Sequence, residues 1–151
     1  MNDLLLMDSL DGNTIKLSLT LKPANRTIYP MEQLITLDTG AYRTAISQKC
    51  LANYGYGVYR KTGEKRQTAN GVIDVKTCEI NGLTIAGQFV FGKMTVDVLE
   101  NWTDGKKVGM VGMDILSQLT FILSHEYNQY KLTNQNVLNT SKPTSTLFKR
   151  G

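Results

Sequence analysis

The apolar residues of this chain come in short runs, many of them alternating with polar residues and separated by turn signals. Ile15, Leu17, Leu19 and Leu21 recur with a period of two, which puts them on one face of a strand and leaves Lys16, Ser18 and Thr20 on the other. Comparable strand signals cover Met31–Leu37, Val72–Ile80, Leu83–Phe91, Met94–Leu99, Thr120–Leu123 and Tyr127–Leu132. Asp11-Gly12, Asn70-Gly71, Asn81-Gly82 and Asp104-Gly105 punctuate them with residues that tolerate positive φ, and Asn81-Gly82 reads as a hairpin. Only two segments have helical character. Ser47 is placed to cap a short helix reaching Tyr54, and Asp114–Leu119 follows the flexible Gly112. The pattern predicts an all-β domain with little helix.

A length of 151 residues suits one domain, and 41% hydrophobic with 20% charged residues is the balance of a globular protein. We expect the folded domain over residues 1–132, and a polar tail over 133–151, where Asn, Thr and Ser replace any periodicity. The net charge of +4 is carried by scattered pairs such as Arg60-Lys61, Lys65-Arg66 and Lys106-Lys107. A phosphate backbone is bound by charge gathered on one surface, so no nucleic-acid partner is expected. No run approaches the ~20 apolar residues of a membrane span, and Leu4-Leu5-Leu6-Met7 is cut short by Asp8, unlike a signal peptide. The expectation is a cytoplasmic protein without a membrane partner. Cys50 and Cys78 form no Cys-x-x-Cys pair and have a single histidine, His125, to assist them, too few ligands for zinc and no recognisable setting for a thiol nucleophile. They read as reduced thiols.

The chemistry concentrates in Leu34-Ile35-Thr36-Leu37-Asp38-Thr39-Gly40-Ala41, an apolar strand running into an acidic residue and a tight turn. A carboxylate at such a junction is held rigidly where its proton affinity can be tuned. By itself the tripeptide is a common strand ending. It gains meaning from Met110-Val111-Gly112-Met113-Asp114-Ile115-Leu116, in which two apolar residues and a glycine lead into a short helix and allow backbone to pass close behind the acidic turn.

With these two motifs in this order, and a polar hairpin between them, the chain resembles the retropepsin-like aspartic proteases over roughly Ile15 to Leu132. The resemblance implies the acid-protease fold, a closed β-barrel or sandwich with a flap hairpin and one short C-terminal helix. It makes Asp38 the catalytic aspartate, Thr39 the residue that locks two active-site loops together, and Gly40 a backbone contact to peptide. Ala41 and Tyr42 would line the cleft, and Thr68, Ala69, Asn70, Gly71 and Val72 would form the flap over it. Val111, Gly112 and Asp114 would support the site from behind. The chain departs from the retroviral pattern at Tyr42, Arg43 and Met113, so the ion pair of that group is missing; Arg43 and Asp114 are candidates for a charge-swapped replacement.

The sequence contains one Asp-Thr-Gly, whereas this hydrolysis needs two carboxylates sharing a proton. A homodimer with Asp38 beside its symmetry mate is the economical answer. The implied activity is cleavage of extended peptides or proteins, with no metal or organic cofactor. The competing reading is a binding or dimerisation module that keeps the fold without proteolysis. Trp102 is expected in the core or at the dimer surface. Tyr54, Tyr56 and Tyr59 are expected either at the cleft border or in a packed loop.

Overall fold

The computed structural model describes residues 4–5, 10–11, 14–68, 71–124 and 129–133, and within them the chain is built of strands with two short helices. In chain order these are β1 (Leu4–Leu5), β2 (Leu10–Asp11), β3 (Thr14–Leu21), β4 (Gln33–Leu37), β5 (Ala45–Ser47), α1 (Gln48–Asn53), β6 (Arg60–Thr68), β7 (Gly71–Ile80), β8 (Leu83–Ile85), β9 (Phe89–Phe91), β10 (Met94–Leu99), β11 (Lys107–Val111), α2 (Met113–Leu116), β12 (Thr120–Ser124) and β13 (Gln129–Thr133). The main sheet has the order β6-β7-β10-β5-β11-β4-β3-β8-β9, with β2 paired to β3, and a second sheet has the order β1-β13-β12. None of the described helices is long and apolar enough to cross a membrane.

The alternation in β3 does what its period dictates. Leu17, Leu19 and Leu21 are buried, and they meet Ile35, Ile46, Ile80, Ile85 and Val96 in one core. Burial of these aliphatic side chains, each worth about 2 kcal/mol, drives the strands together. Cys50 and Leu51 from α1 close the core on one side, and Ser47 caps that helix by accepting from the Cys50 N–H at 3.1 Å. Tyr54 and Tyr56 are packed into the same core. Their hydroxyls donate to the carbonyls of Met31 and Lys22, and Tyr59 donates to the Tyr56 carbonyl, so the tyrosine loop is a packed brace.

Two local expectations are corrected, and one strand is added to those expected. Asn81-Gly82 does not close a hairpin: β7 pairs with β6 and β10, while β8 pairs with β3 and β9, so the dipeptide carries the chain from one part of the sheet to another. Both flanks, Ile80 and Leu83, are buried, and the corner is fastened by Asn81 N–H to the Tyr56 hydroxyl and Lys22 N–H to the Gly82 carbonyl. Leu83–Phe91 is not one strand but the hairpin β8–β9, turned at Ala86 (φ 55°) and Gly87 (φ 69°). Alanine hides this turn from sequence; a hydrogen bond from its N–H to the Ser18 carbonyl at 2.8 Å holds it there. Finally, Arg60–Thr68 forms the nine-residue β6 although it has no apolar periodicity. Its residues 61–67 are exposed, and the ladder to β7 alone defines it.

The element that organises the sheet is β11. It lies between β4, to which it runs parallel, and β5, to which it runs antiparallel, although β4 and β5 are neighbours in sequence. The chain leaving β4 must therefore loop over the end of β11 before it returns as β5. Space for this insertion depends on Gly109, whose φ is 153° and where an added Cβ would lie 2.0 Å from the Ala45 carbonyl oxygen. Gly109→Ala should lower unfolding free energy by about 3 kcal/mol or more, combining strained backbone with a clash against backbone that cannot swing away. Urea titration of the two proteins measures it.

Candidate active site

The loop from Asp38 to Thr44 crosses the end of β11 and is held there by backbone as much as by side chains. Asp38 N–H donates to the Val111 carbonyl at 3.0 Å, which anchors the aspartate at the point where β4 leaves the sheet. One Asp38 carboxylate oxygen accepts from Gly40 N–H at 2.9 Å, and the Asp38 carbonyl accepts from Ala41 N–H at 3.2 Å, closing a tight turn. A side chain on Gly40 would begin 3.2 Å from the Asp38 carboxylate. Thr39 and Gly40 are exposed, Ala41 is half-buried, and Tyr42 stands 84% exposed.

Gly112 passes directly beneath this loop. A Cβ there would lie 2.6 Å from the Arg43 carbonyl carbon and 2.9 Å from the Ala41 carbonyl oxygen, so only glycine permits the approach. Val111 is buried immediately before it, and Met113 N–H donates to the Ala41 carbonyl at 2.8 Å. Val111 and Gly112 therefore lie against the backbone of the Asp38–Thr44 loop.

Thr44 and Asp114 complete the support. Fully buried Thr44 donates its hydroxyl to Asp114 at 2.7 Å, accepts from Gly112 N–H at 3.1 Å, and donates its own N–H to both Asp114 oxygens at 3.0 Å. Asp114 also accepts from Ile115 N–H at 2.9 Å, in the first turn of α2. One carboxylate therefore joins the far end of the active-site loop to the start of the helix. Arg43 is not its partner, which corrects the expected charge-swapped pair. Instead Arg43 binds Asp97 on β10 at 2.9 Å, and Arg66 of β6 binds the other oxygen of the same carboxylate at 3.1 Å. Asp97 went unnoticed in sequence because a lone acidic residue inside an apolar strand reads as its solvent face; here it is buried.

The hairpin expected to act as the flap is β6–β7. Thr68 pairs with Gly71, Val72 and Ile73 are exposed on β7, and Ala69 and Asn70 lie outside the described residues. Two cavities flank the site. One of about 450 Å³ lies between this hairpin, β10 and Trp102; the other, of about 740 Å³, is bordered by Tyr42, Arg43, Met113 and Asp114. Half-buried Asp38 lines neither. Trp102 is half-buried, its indole N–H donating to the Lys107 carbonyl at 2.7 Å. Among the described residues no three His, Cys, Asp or Glu side chains stand together as metal ligands. His125 lies outside those residues.

Two expected outcomes follow from these contacts. Asp114→Ala leaves two buried Thr44 donors without an acceptor and should cost about 2–4 kcal/mol, with Asp114→Asn losing about half of that, as read by chemical denaturation. Burial pushes the Cys50 thiol up to about 11, and also raises Cys78. At pH 8 little of Cys50 is then thiolate, so it should react with an aromatic disulfide roughly 100-fold more slowly in the folded than in the unfolded protein. Equal rates in the two states would contradict the buried setting.

Comparison with known proteins places this geometry. No curated protein matches the chain. Among solved structures, the crystal structure of a retropepsin-like aspartic protease from Rickettsia conorii is similar with a TM-score of 0.61 at 15% identity, covering 86% of this chain and 89% of that one, which is a likeness of fold. The family described as "gag-polyprotein putative aspartyl protease" matches residues 30–118, a span that contains the Asp38-Thr39-Gly40 turn, the β6–β7 hairpin and Val111-Gly112. That match covers more than half of the chain, and the chain belongs to this retropepsin-like aspartyl protease family.

Proposed function

We propose that the protein is an aspartic endopeptidase whose active site is completed by a second copy of the chain, with Asp38 and the partner copy's equivalent aspartate forming the catalytic dyad. The observation that carries this reading is the Asp38-Thr39-Gly40 turn, with Asp38 half-buried and the next two residues exposed, held from below by backbone yet present once in the sequence. Two carboxylates held close cannot both ionise, so the pair shares one proton. One member takes a proton from a water between them; the other polarises the scissile carbonyl and passes a proton to the departing amine. A lone Asp38 supplies half of this. A twofold axis beside the exposed Thr39 and Gly40 would supply the rest through an isologous contact.

The substrate in this reading is an extended peptide or protein segment lying between the Asp38 loop and the β6–β7 hairpin. Main-chain hydrogen bonds would hold it, and alternate side chains would enter pockets on either side. Ala41 and Tyr42 border one side, and the hairpin around Gly71 and Val72 borders the other. The chemistry uses no metal or organic cofactor and calls for no nucleic acid or membrane. Two free, buried thiols, Cys50 and Cys78, fit a reducing compartment such as the cytoplasm.

Incubation of the purified protein with a mixed peptide library from acidic to neutral pH, alongside Asp38→Asn, tests the proposal. Cleavage should be lost by at least about 1,000-fold in the variant. It should also show a bell-shaped profile favouring acidic pH, since activity needs the singly protonated pair. Solution mass should correspond to a dimer at working concentration. A dimer without Asp38-dependent cleavage would favour a binding module, and a strict monomer that cleaves would refute the shared dyad.

A further inference from the structure

The Asp38 loop, β10 and the projecting hairpin are joined at one point by three charged side chains. Asp97 is 7% exposed and gives one carboxylate oxygen to Arg43 at 2.9 Å and the other to Arg66 at 3.1 Å. A carboxylate buried to that degree is costly unless its charge is matched, and two guanidiniums more than match it. The trio carries a net charge of +1. Each guanidinium has five N–H donors in a planar fork and directs one of them at Asp97, so donors remain for a second carboxylate.

The position of the trio gives this surplus a use. Arg43 lies in the loop that begins at Asp38, and the backbone of that loop is tied to β10 by Asp97 N–H donating to the Thr44 carbonyl at 2.9 Å. Arg66 stands opposite Ile73 in the hairpin, close to the Thr68–Gly71 end, and is about half exposed. Arg66 and Asp97 line the 450 Å³ cavity together with the apolar Val98, Leu99 and Trp102, and Arg43 lines the 740 Å³ cavity, so the trio stands between the two. The remaining carboxylates along the first cavity are already engaged by lysines, Glu100 by Lys76 at 2.6 Å and Asp74 by Lys65 at 2.9 Å. The guanidinium donors left over at the trio, beside the apolar Val98 and Leu99, suit an aliphatic stem that finishes in a carboxylate.

Resting on the protease reading above, we propose that Arg43 and Arg66, positioned by Asp97, form a subsite that selects an acidic side chain, glutamate above all, in the peptide bound beside Asp38. Asp97 acts through the arginines and is a positioning residue. Because Arg66 belongs to the hairpin and Arg43 to the Asp38 loop, an acidic side chain bridging them would also draw the hairpin onto the peptide.

The test starts from a peptide cleaved in the library, or, if none is cleaved, from an equimolar set of apolar-core octapeptides. Glu, Gln and Lys are placed in turn at each position. Two quantities are read: kcat/KM with the native protein, and binding to the Asp38→Asn protein through the fluorescence of Trp102, the sole tryptophan. At one position the Glu:Gln ratio should be at least about tenfold, and it should fall to about one in the Arg43→Gln/Arg66→Gln double variant, with lysine replacements of the arginines intermediate. A ratio measured on one sample is insensitive to the fraction of folded protein. No preference for Glu at any position, or a ratio unchanged in the double variant, would overturn the proposal. Glutamate-selective, arginine-dependent binding without cleavage would leave the subsite standing and remove the protease reading. Cleavage blind to charge would do the reverse, and absence of both cleavage and binding would remove both.

Discussion

The insertion of β11 between β4 and β5 is the constraint on which the rest of this structure depends. Because the two outer strands are consecutive in sequence, the residues between them have to cross over the end of the inserted strand. That crossing is the Asp38–Thr44 loop. Its shape is set by what lies beneath it: the Val111 carbonyl receives Asp38 N–H, Gly112 clears the Ala41 and Arg43 backbone, and Asp114 gathers the donors of Thr44. Three residues from the chain's second half thus support the loop that carries a carboxylate from its first half. A catalytic group gains from such support, since a rotamer fixed by its surroundings needs no reordering when substrate arrives.

Much of this was readable in the residues because the signals involved are local or steric. The alternation in β3 identifies its core face; Ser47 announces a helix that begins one residue later; glycine at 112 marks a close approach of backbone. Two motifs of a few residues each singled out Asp38, Val111 and Gly112, which the fold brings together. The same locality explains the errors. Asn81-Gly82 has the chemistry of a hairpin turn, yet strand pairing is decided by which buried faces meet, and Ile80 and Leu83 belong to different ladders. Ala86 adopts positive φ because a distant carbonyl at Ser18 holds its N–H, which no window around residue 86 contains.

The ion pairs were the least legible part. Arg43 and Asp114 are both close to the site, and pairing them is reasonable if opposite charges choose the nearest partner in the motif. Geometry decides otherwise. Asp114 lies where two Thr44 donors and a helix N–H converge, and backbone and hydroxyl donors satisfy it without a cation. Arg43 points across the loop to β10, where Asp97 has no such donors and requires charge. Asp97 is buried along with its neighbours Val96 and Val98, so both faces of β10 are covered at that point and alternation does not tell them apart.

Support and selection are consequently divided between two carboxylates. Asp114 works through neutral donors inside one loop-helix junction, which hold its position without cancelling its charge. Asp97 works through two arginines from different elements, one fixed near the aspartate and one on the exposed hairpin. A charge-assisted link between a rigid loop and a projecting hairpin is strong enough to define a resting position, while its half-exposed member remains weakly held because water screens it. The hairpin can therefore leave Asp97 at modest cost and return to it, and a ligand that adds its own carboxylate to the two guanidiniums favours the returned state by its differential affinity alone. In this arrangement the residue that gives the cleft its charge preference is also the one that couples occupancy of the cleft to the position of its cover.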